Sequence, residues 1–133
     1  MIGIRPATAE DCQHLAECLA LDEWHKTETP EQWTQCQGGL ITFFDEKGPI
    51  FHMAFEDELE ETLRVHCQFD PRERRRTALG LLDAFNKVTA TAKQSGKKRI
   101  VFKSESPKLI AFLERLGFAP CLGTDDFELK FEE

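Results

Sequence analysis

Within a few residues this chain changes its hydrophobic period from two to 3.6, and that change constrains its fold more than any other feature. Thr62-Leu63-Arg64-Val65-His66-Cys67-Gln68-Phe69 alternates, with Leu63, Val65, Cys67 and Phe69 on one face and Arg64, His66 and Gln68 on the other. Asp70-Pro71 breaks the strand. From near Arg75 the apolar residues Ala78, Leu79, Leu81, Leu82, Phe85, Val88 and Ala92 recur at helical spacing until Ser95-Gly96 stops them. A strand therefore hands the chain through a turn holding Arg72, Arg74, Arg75 and Arg76 onto a long helix. A helix start carries free N–H groups and the positive end of the helix dipole, so four arginines beside it make a cradle for a phosphorylated, nucleotide-like ligand. The same arginines equally describe a solvated basic cap that balances the acidic run Glu56-Asp57-Glu58-Leu59-Glu60-Glu61 before them.

Charge decides how general such a site is. Lys and Arg number 17 against 24 Asp and Glu, a net charge of −7, which argues against nucleic-acid or anionic-membrane binding driven by phosphate neutralisation. Any anion site is local. The 133 residues suit one domain, residues 1–133, with a single core. No apolar run approaches the roughly 20 residues of a membrane span, and no basic-then-apolar leader opens the chain, so a cytoplasmic location is expected. The 5 cysteines, Cys12, Cys18, Cys36, Cys67 and Cys121, are odd in number and scattered, which indicates neither a disulfide framework nor a zinc motif.

The remaining segments alternate strands and helices. Ile2 to Arg5 reads as a short strand closed by Pro6. Thr8 and Asp11 cap a helix running to about Trp24, with Cys12, Leu15, Ala16, Leu19 and Ala20 on one face. Thr29-Pro30-Glu31-Gln32 starts a short helix through Trp33 and Cys36 that Gly38-Gly39 ends. Leu40–Phe44 and Ile50–Phe55 read as antiparallel neighbours around Asp45–Pro49, and the acidic run as a solvated turn. Arg99–Lys103 is a strand, Ser106-Pro107 starts a helix with Leu109, Ile110, Phe112, Leu113 and Leu116 on its buried side, and Phe127–Phe131 is a last strand. Phe43, Phe44, Phe51, Phe55, Phe69, Phe85, Phe102 and Phe112 are expected in the core. The layout is a mixed α/β (α+β) domain, a mostly antiparallel sheet flanked by helices.

Two stretches then resemble a known family. Ile4-Arg5-Pro6-Ala7-Thr8-Ala9-Glu10-Asp11 is similar to the first strand and helix start of the GCN5-related N-acetyltransferase (GNAT) superfamily. Pro107-Lys108-Leu109-Ile110-Ala111-Phe112-Leu113-Glu114-Arg115-Leu116-Gly117-Phe118 resembles its late helix with the Leu-Gly-Phe ending. The likeness extends over nearly the whole chain and is that of a degenerate member, of the kind some phage-encoded relatives show. It implies acetyl-CoA held between splayed central strands, with the pyrophosphate on a loop of pattern Gln/Arg-x-x-Gly-x-Gly/Ala. If Arg74 opens that pattern, Thr77 and Leu79 replace both glycines; if Arg75 opens it, Ala78 and Gly80 stand there. The residues implied at the cofactor are Phe69, Arg72, Arg74, Arg75, Arg76, Thr77, Ala78, Leu79 and Gly80.

Transfer of an acyl group from a thioester to an amine needs a base for the incoming ammonium and a way to release the thiolate. His66 is the base by chemistry, because imidazole titrates near neutrality and its strand borders the implied cleft; it is equally a histidine on a polar sheet face. His52, on a neighbouring strand, shares that face, but no third ligand is spaced to join the two in a metal site. The family's late-helix tyrosine is missing, since the chain has no tyrosine and Leu113 stands at the matching position. Cys67 and Ser106 are the remaining candidate donors. The segment Glu23–Gly39, flanked by Trp24 and Trp33, corresponds to the part of the family that lines the acceptor site. Two readings follow: an acyl-CoA-dependent N-acyltransferase acting on an amine-bearing small molecule or protein, homodimeric as such proteins can be, or a GNAT-like binding or assembly module that has lost catalysis.

Overall fold

Seven strands form one sheet in the order β1-β2-β3-β4-β5-β7-β6 in the computed structural model, which describes residues 2–131. Along the chain these are β1 (Gly3–Pro6), α1 (Ala9–Leu21), α2 (Pro30–Thr34), β2 (Leu40–Asp45), β3 (Gly48–Glu58), β4 (Thr62–Phe69), α3 (Arg74–Gln94), β5 (Arg99–Lys103), α4 (Pro107–Arg115), β6 (Ala119–Pro120) and β7 (Asp126–Lys130). All neighbours are antiparallel except β4 and β5. The expected fold class is the one observed.

Parity along the strands sorts the two faces. Phe43, Phe51, Met53, Phe55, Val65, Cys67, Ile100 and Phe102 pack with Leu81, Ala84, Phe85, Val88 and Ala92 of α3 and with Leu113 of α4. The opposite face packs Leu40 and Ala54 against Leu15 and Leu19 of α1 and Trp33 of α2. Thr42, His52, Thr62 and Gln68 are also buried and belong to this second face by alternation. At the start of α1 the Thr8 hydroxyl accepts from Asp11 N–H (3.2 Å) while the Asp11 carboxylate accepts from Thr8 N–H (3.0 Å), the expected capping box. Asp11 is fully buried; burial alone would raise its carboxyl, but the bidentate Arg5 contact (2.7 and 2.9 Å) holds it below the ordinary range.

Several sequence expectations are corrected. Helix α1 stops at Leu21 rather than Trp24, because the Asp22 carboxylate takes Trp24 N–H (2.9 Å) in a local turn. The acidic run stays in strand to Glu58, since Glu58 pairs with Arg64 (2.6 Å) and Asp57 with Lys97 (2.7 Å), which removes the cost of lining up acids. The turn closes only at Glu60 and Glu61, both left-handed (φ 64° and 55°). Phe44 leaves the core at a register shift after Phe43 and lies under the Arg5 guanidinium (4.3 Å). Leu79 and Leu82 are exposed because the buried stripe of α3 runs through Leu81, Phe85, Val88 and Ala92. Ile110 lines a surface hollow with Lys103 and Phe127 instead of the core. The strand β6 was not foreseen; two residues carry no period.

Candidate functional site

The parallel pair β4 and β5 is registered only from Thr62 opposite Arg99 to Val65 opposite Phe102. β4 continues to Phe69 while β5 ends at Lys103, so beyond Val65 the strand loses its β5 partner. One residue before the parting, Arg64 reaches across β5 to Asp126 of β7 with two hydrogen bonds (3.0 and 2.8 Å). His66 is the first residue past the ladder, and Phe69, at the far end, packs its ring edge on Phe51 (5.7 Å). An unpaired strand edge offers backbone donors and acceptors to an extended, amide-bearing ligand.

The turn that follows is organised by Asp70. Its carboxylate accepts from Arg72 N–H (2.9 Å) and from the Arg72 guanidinium (2.9 and 3.0 Å), and its carbonyl accepts from Glu73 N–H (3.0 Å). Arg72 also meets Glu17 of α1 (3.2 Å). Arg76 turns the other way, onto Asp45 (2.6 Å) and the Gly48 carbonyl (3.0 Å), and this hydrogen bonding lowers the Asp45 carboxyl to about 2. Two of the four arginines are thus spoken for. Arg74 and Arg75 are exposed and, among the described residues, join none of these ion pairs.

The backbone narrows the cradle further. Helix α3 starts at Arg74, and Thr77 N–H already bonds the Glu73 carbonyl (3.0 Å). The N–H groups of Ala78, Leu79 and Gly80 lie deeper in the helix and are used there, in either phasing of the glycine pattern. The free N–H groups are those of Arg74, Arg75 and Arg76. Glu73 makes no side-chain cap, and the Thr77 hydroxyl is buried with no hydrogen-bond partner among the described residues. Free N–H groups and two guanidiniums that are unpaired among the described residues fit an anionic ligand such as a pyrophosphate, with the orphaned Thr77 hydroxyl one turn into the helix. Leu79 and Gly80 instead line, with Arg76, Asp45 and Asp83, a hollow of about 410 Å³ on the β1–β2 side.

On the α1/α2 face a buried chain ties the turn to the sheet. Thr42 Oγ1 meets His52 Nδ1 (2.9 Å), His52 Nε2 meets His14 Nδ1 (2.7 Å), and His14 Nε2 meets Asp70 Oδ2 (3.0 Å). A proton arrangement that satisfies every link has Thr42 donate to His52, His52 to His14, and His14 to the Asp70 carboxylate. Burial, then the neighbouring His14, lowers His52 to about 4, which keeps it neutral. His52 is fully buried and touches no open space, so it positions the turn. His14, unremarked in the sequence, is the link to α1; its spacing of four from Cys18 on a helix was the available signal.

His66 stands apart from this chain. Its ring is 39% exposed, lies edge-on to Trp33 (6.1 Å), and points Nε2 to within 3.5 Å of Glu56 Oε1. That nitrogen is itself buried and makes no hydrogen bond among the described residues. The Cys36 thiol donates to the same Glu56 oxygen (3.3 Å), and burial, then this bond, pushes it up to about 11. Beside it Gln68 donates to Asp22 (3.1 Å) and meets His25 Nδ1 (2.9 Å), so the segment between α1 and α2 closes over the β4 face.

Solved structures share this fold. Ard1 from Thermoplasma volcanium superposes with a TM-score of 0.74 at 14% identity, covering 99% of each chain. A GNAT family acetyltransferase from Brucella melitensis, in complex with acetyl-CoA, gives 0.70 at 12% identity, over 100% of this chain and 90% of that one. The ribosomal-protein-S18-alanine N-acetyltransferase from Escherichia coli gives 0.65 at 14%, over 96% and 90%. The fold is that of the GNAT acetyltransferases. No family model matches the chain, and no curated protein matches it in sequence.

The three positions weighed in the sequence as thiolate donors or their replacement are all spent on packing or capping. Leu113 is fully buried among apolar residues, Cys67 is buried with its thiol pushed well up by burial, and the Ser106 hydroxyl accepts from Leu109 N–H (3.4 Å) as a helix cap. No helix among the described residues is long and apolar enough to cross a membrane.

Proposed function

We propose that this chain is an acyl-CoA-dependent N-acyltransferase that takes acetyl-CoA into the opening between β4 and β5. The observation that supports it best is the parting of the two strands after Val65 and Phe102, followed directly by a helix start with free N–H groups. Acetyl-CoA supplies a thioester carbonyl open to attack. The unpaired edge of β4 from His66 to Phe69 holds the amide-bearing arm. The N–H groups of Arg74 to Arg76, the Arg74 and Arg75 guanidiniums and the Thr77 hydroxyl hold the pyrophosphate. Arg72 and Arg76 act indirectly, by fixing the turn onto Asp70 and Asp45.

His66 takes the proton of the incoming ammonium, so the amine lone pair forms the C–N bond as the C–S bond breaks. A thiol with a pKa of about 8.5 is a fair leaving group near neutrality, so release needs no tyrosine and the thiolate takes its proton from water. Trp33, His25 and Gln68 border the acceptor, an amine on a small molecule or a protein.

Calorimetry with acetyl-CoA and CoA at low and moderate salt tests the donor site, and His66→Gln tests the base. Binding that weakens with salt, and a kcat lowered by about 10²-fold or more with a flattened pH profile, is expected. No binding at millimolar ligand leaves the fold as a catalytically inactive interaction module.

A further inference from the structure

We propose that Cys36, Glu56 and His66 form a site for a divalent transition metal of the zinc class. The three come from separate elements: Cys36 from the turn after α2, Glu56 from β3 and His66 from β4. Glu56 and His66 are diagonal neighbours across the ladder, since Glu56 faces Arg64 and Ala54 faces His66. The turn bearing Cys36 is pinned by Gly38 N–H on the Phe55 carbonyl (2.8 Å) and Phe55 N–H on the Gly39 carbonyl (3.2 Å). A Cβ at Gly38 would sit 2.8 Å from the Phe55 oxygen, so only glycine lets the turn come this close.

Two of the three edges suit a tetrahedral ion, and all three ligand atoms lie within 4.8 Å of one another. With Zn–S near 2.3 Å and Zn–N or Zn–O near 2.0 Å, the edges of the tetrahedron are about 3.3 to 3.5 Å. Cys36 Sγ lies 3.3 Å from Glu56 Oε1, and His66 Nε2 lies 3.5 Å from that same oxygen. The orphaned Nε2 supplies the second sign, a buried lone pair or N–H aimed at the cluster with nothing to bond. A sulfur, a nitrogen and a carboxylate oxygen select zinc over magnesium or calcium, and two anionic ligands match its charge once the thiol gives up its proton. Glu56 and His66 are 40% and 39% exposed, so the cluster lies close to the surface.

A second cluster, His14, Cys18 and His52, is organised differently. Its imidazoles hydrogen-bond one another at 2.7 Å, and His14 and His52 spend their other nitrogens on Asp70 and Thr42. No imidazole lone pair is left for an ion, and Cys18 alone does not make a site.

The metal site shares His66 with the transferase reading, and an ion on Nε2 would take the lone pair that a base at that nitrogen needs; because the metal is read with the ion alone, failure of one reading is told apart from failure of the other. Cobalt(II) is titrated into the reduced protein at neutral pH, followed by displacement with zinc(II). Saturation at one equivalent, with the visible bands of tetrahedral cobalt and a thiolate charge-transfer band, is expected. Cys36→Ser should abolish the charge-transfer band, and Glu56→Gln and His66→Gln should each weaken zinc binding by about tenfold or more, while Cys18→Ser changes neither. Circular dichroism melts verify that each variant is folded. No stoichiometric cobalt binding by wild type, or a charge-transfer band that survives Cys36→Ser and vanishes in Cys18→Ser, would overturn the proposal.

Discussion

The two faces of the sheet are built from the same strands yet obey different rules. Toward α3 and α4 the strands present phenylalanine, methionine, valine and isoleucine, and the packing is apolar. Toward α1 and α2 the alternate residues of the same strands present Thr42, His52, Thr62, His66 and Gln68, each placed by period-two parity beside the apolar set. The first face carries most of the apolar burial. The second carries nearly all the groups able to move a proton or hold an ion, and it tolerates them because Asp70, Thr42 and Asp22 supply partners. Separating stability from chemistry across a single sheet lets the site vary without emptying the core.

Truncation should break this symmetry most visibly. Phe85 of α3 lies about its neighbours Phe102, Phe112 and Phe118 at centroid distances of 6.1, 6.0 and 6.2 Å and is almost fully buried. Phe85→Ala is expected to cost about 3–5 kcal/mol in urea unfolding. His66→Ala on the other face should cost less than about 1 kcal/mol, because the ring is partly exposed and has no hydrogen bond to lose. Equal costs would mean that both faces are structural.

Acid should probe the second face selectively. His52 titrates at about 4 in the fold against about 6.5 in the unfolded chain. Between those values the unfolded state binds a proton that the folded state refuses, so stability falls as pH drops from about 6.5 to about 4, and by about 3 kcal/mol in all. Asp11 and Asp70 have lowered carboxyls, so their contributions are lost only below the ordinary aspartate range. Denaturant melts at pH 7, 5.5 and 4.5 should show the loss in wild type, and His52→Asn should flatten it after its own fixed destabilisation. A wild-type profile already flat across this window would show that His52 is protonated in the folded state.

The cradle gives a contrast of binding against stability. Arg74→Ala with Arg75→Ala should weaken acetyl-CoA by about 30-fold, or about 2 kcal/mol, and reduce its salt dependence, with the melting temperature unchanged. Arg76→Ala should do the reverse, losing stability through Asp45 and Gly48 before it loses affinity.

What could be read in advance follows from range. The change of period at Asp70-Pro71 is local, so β4, the turn and α3 were legible, as was the shared face of His52 and His66. Even the opening had a trace, since Thr62–Phe69 is longer than Arg99–Lys103 and two parallel strands of unequal length cannot pair throughout. The occupancy of the arginines was not legible, because Arg76 meets Asp45 and Arg72 meets Glu17 only after folding brings distant segments together. Cys36 was hidden for the same reason, and His14 showed only its spacing of four from Cys18. A third ligand for His66 and a partner for His52 come from other elements, where spacing in sequence carries no signal.

Thr77 offers the finest test, because one atom separates the two roles. Its hydroxyl is buried near the start of α3 with no partner among the described residues, and an unmet polar atom destabilises the protein that keeps it. Thr77→Val keeps the shape and removes the oxygen. The variant should gain about 1 kcal/mol in stability, and its affinity for acetyl-CoA should fall several-fold, opposite signs from one substitution. A gain in stability with unchanged affinity would place the hydroxyl outside the phosphate site. A loss of stability would mean that water or a backbone carbonyl already satisfies it, and the contrast between an apolar face built for packing and a polar face built for ligands would then stop short of this helix.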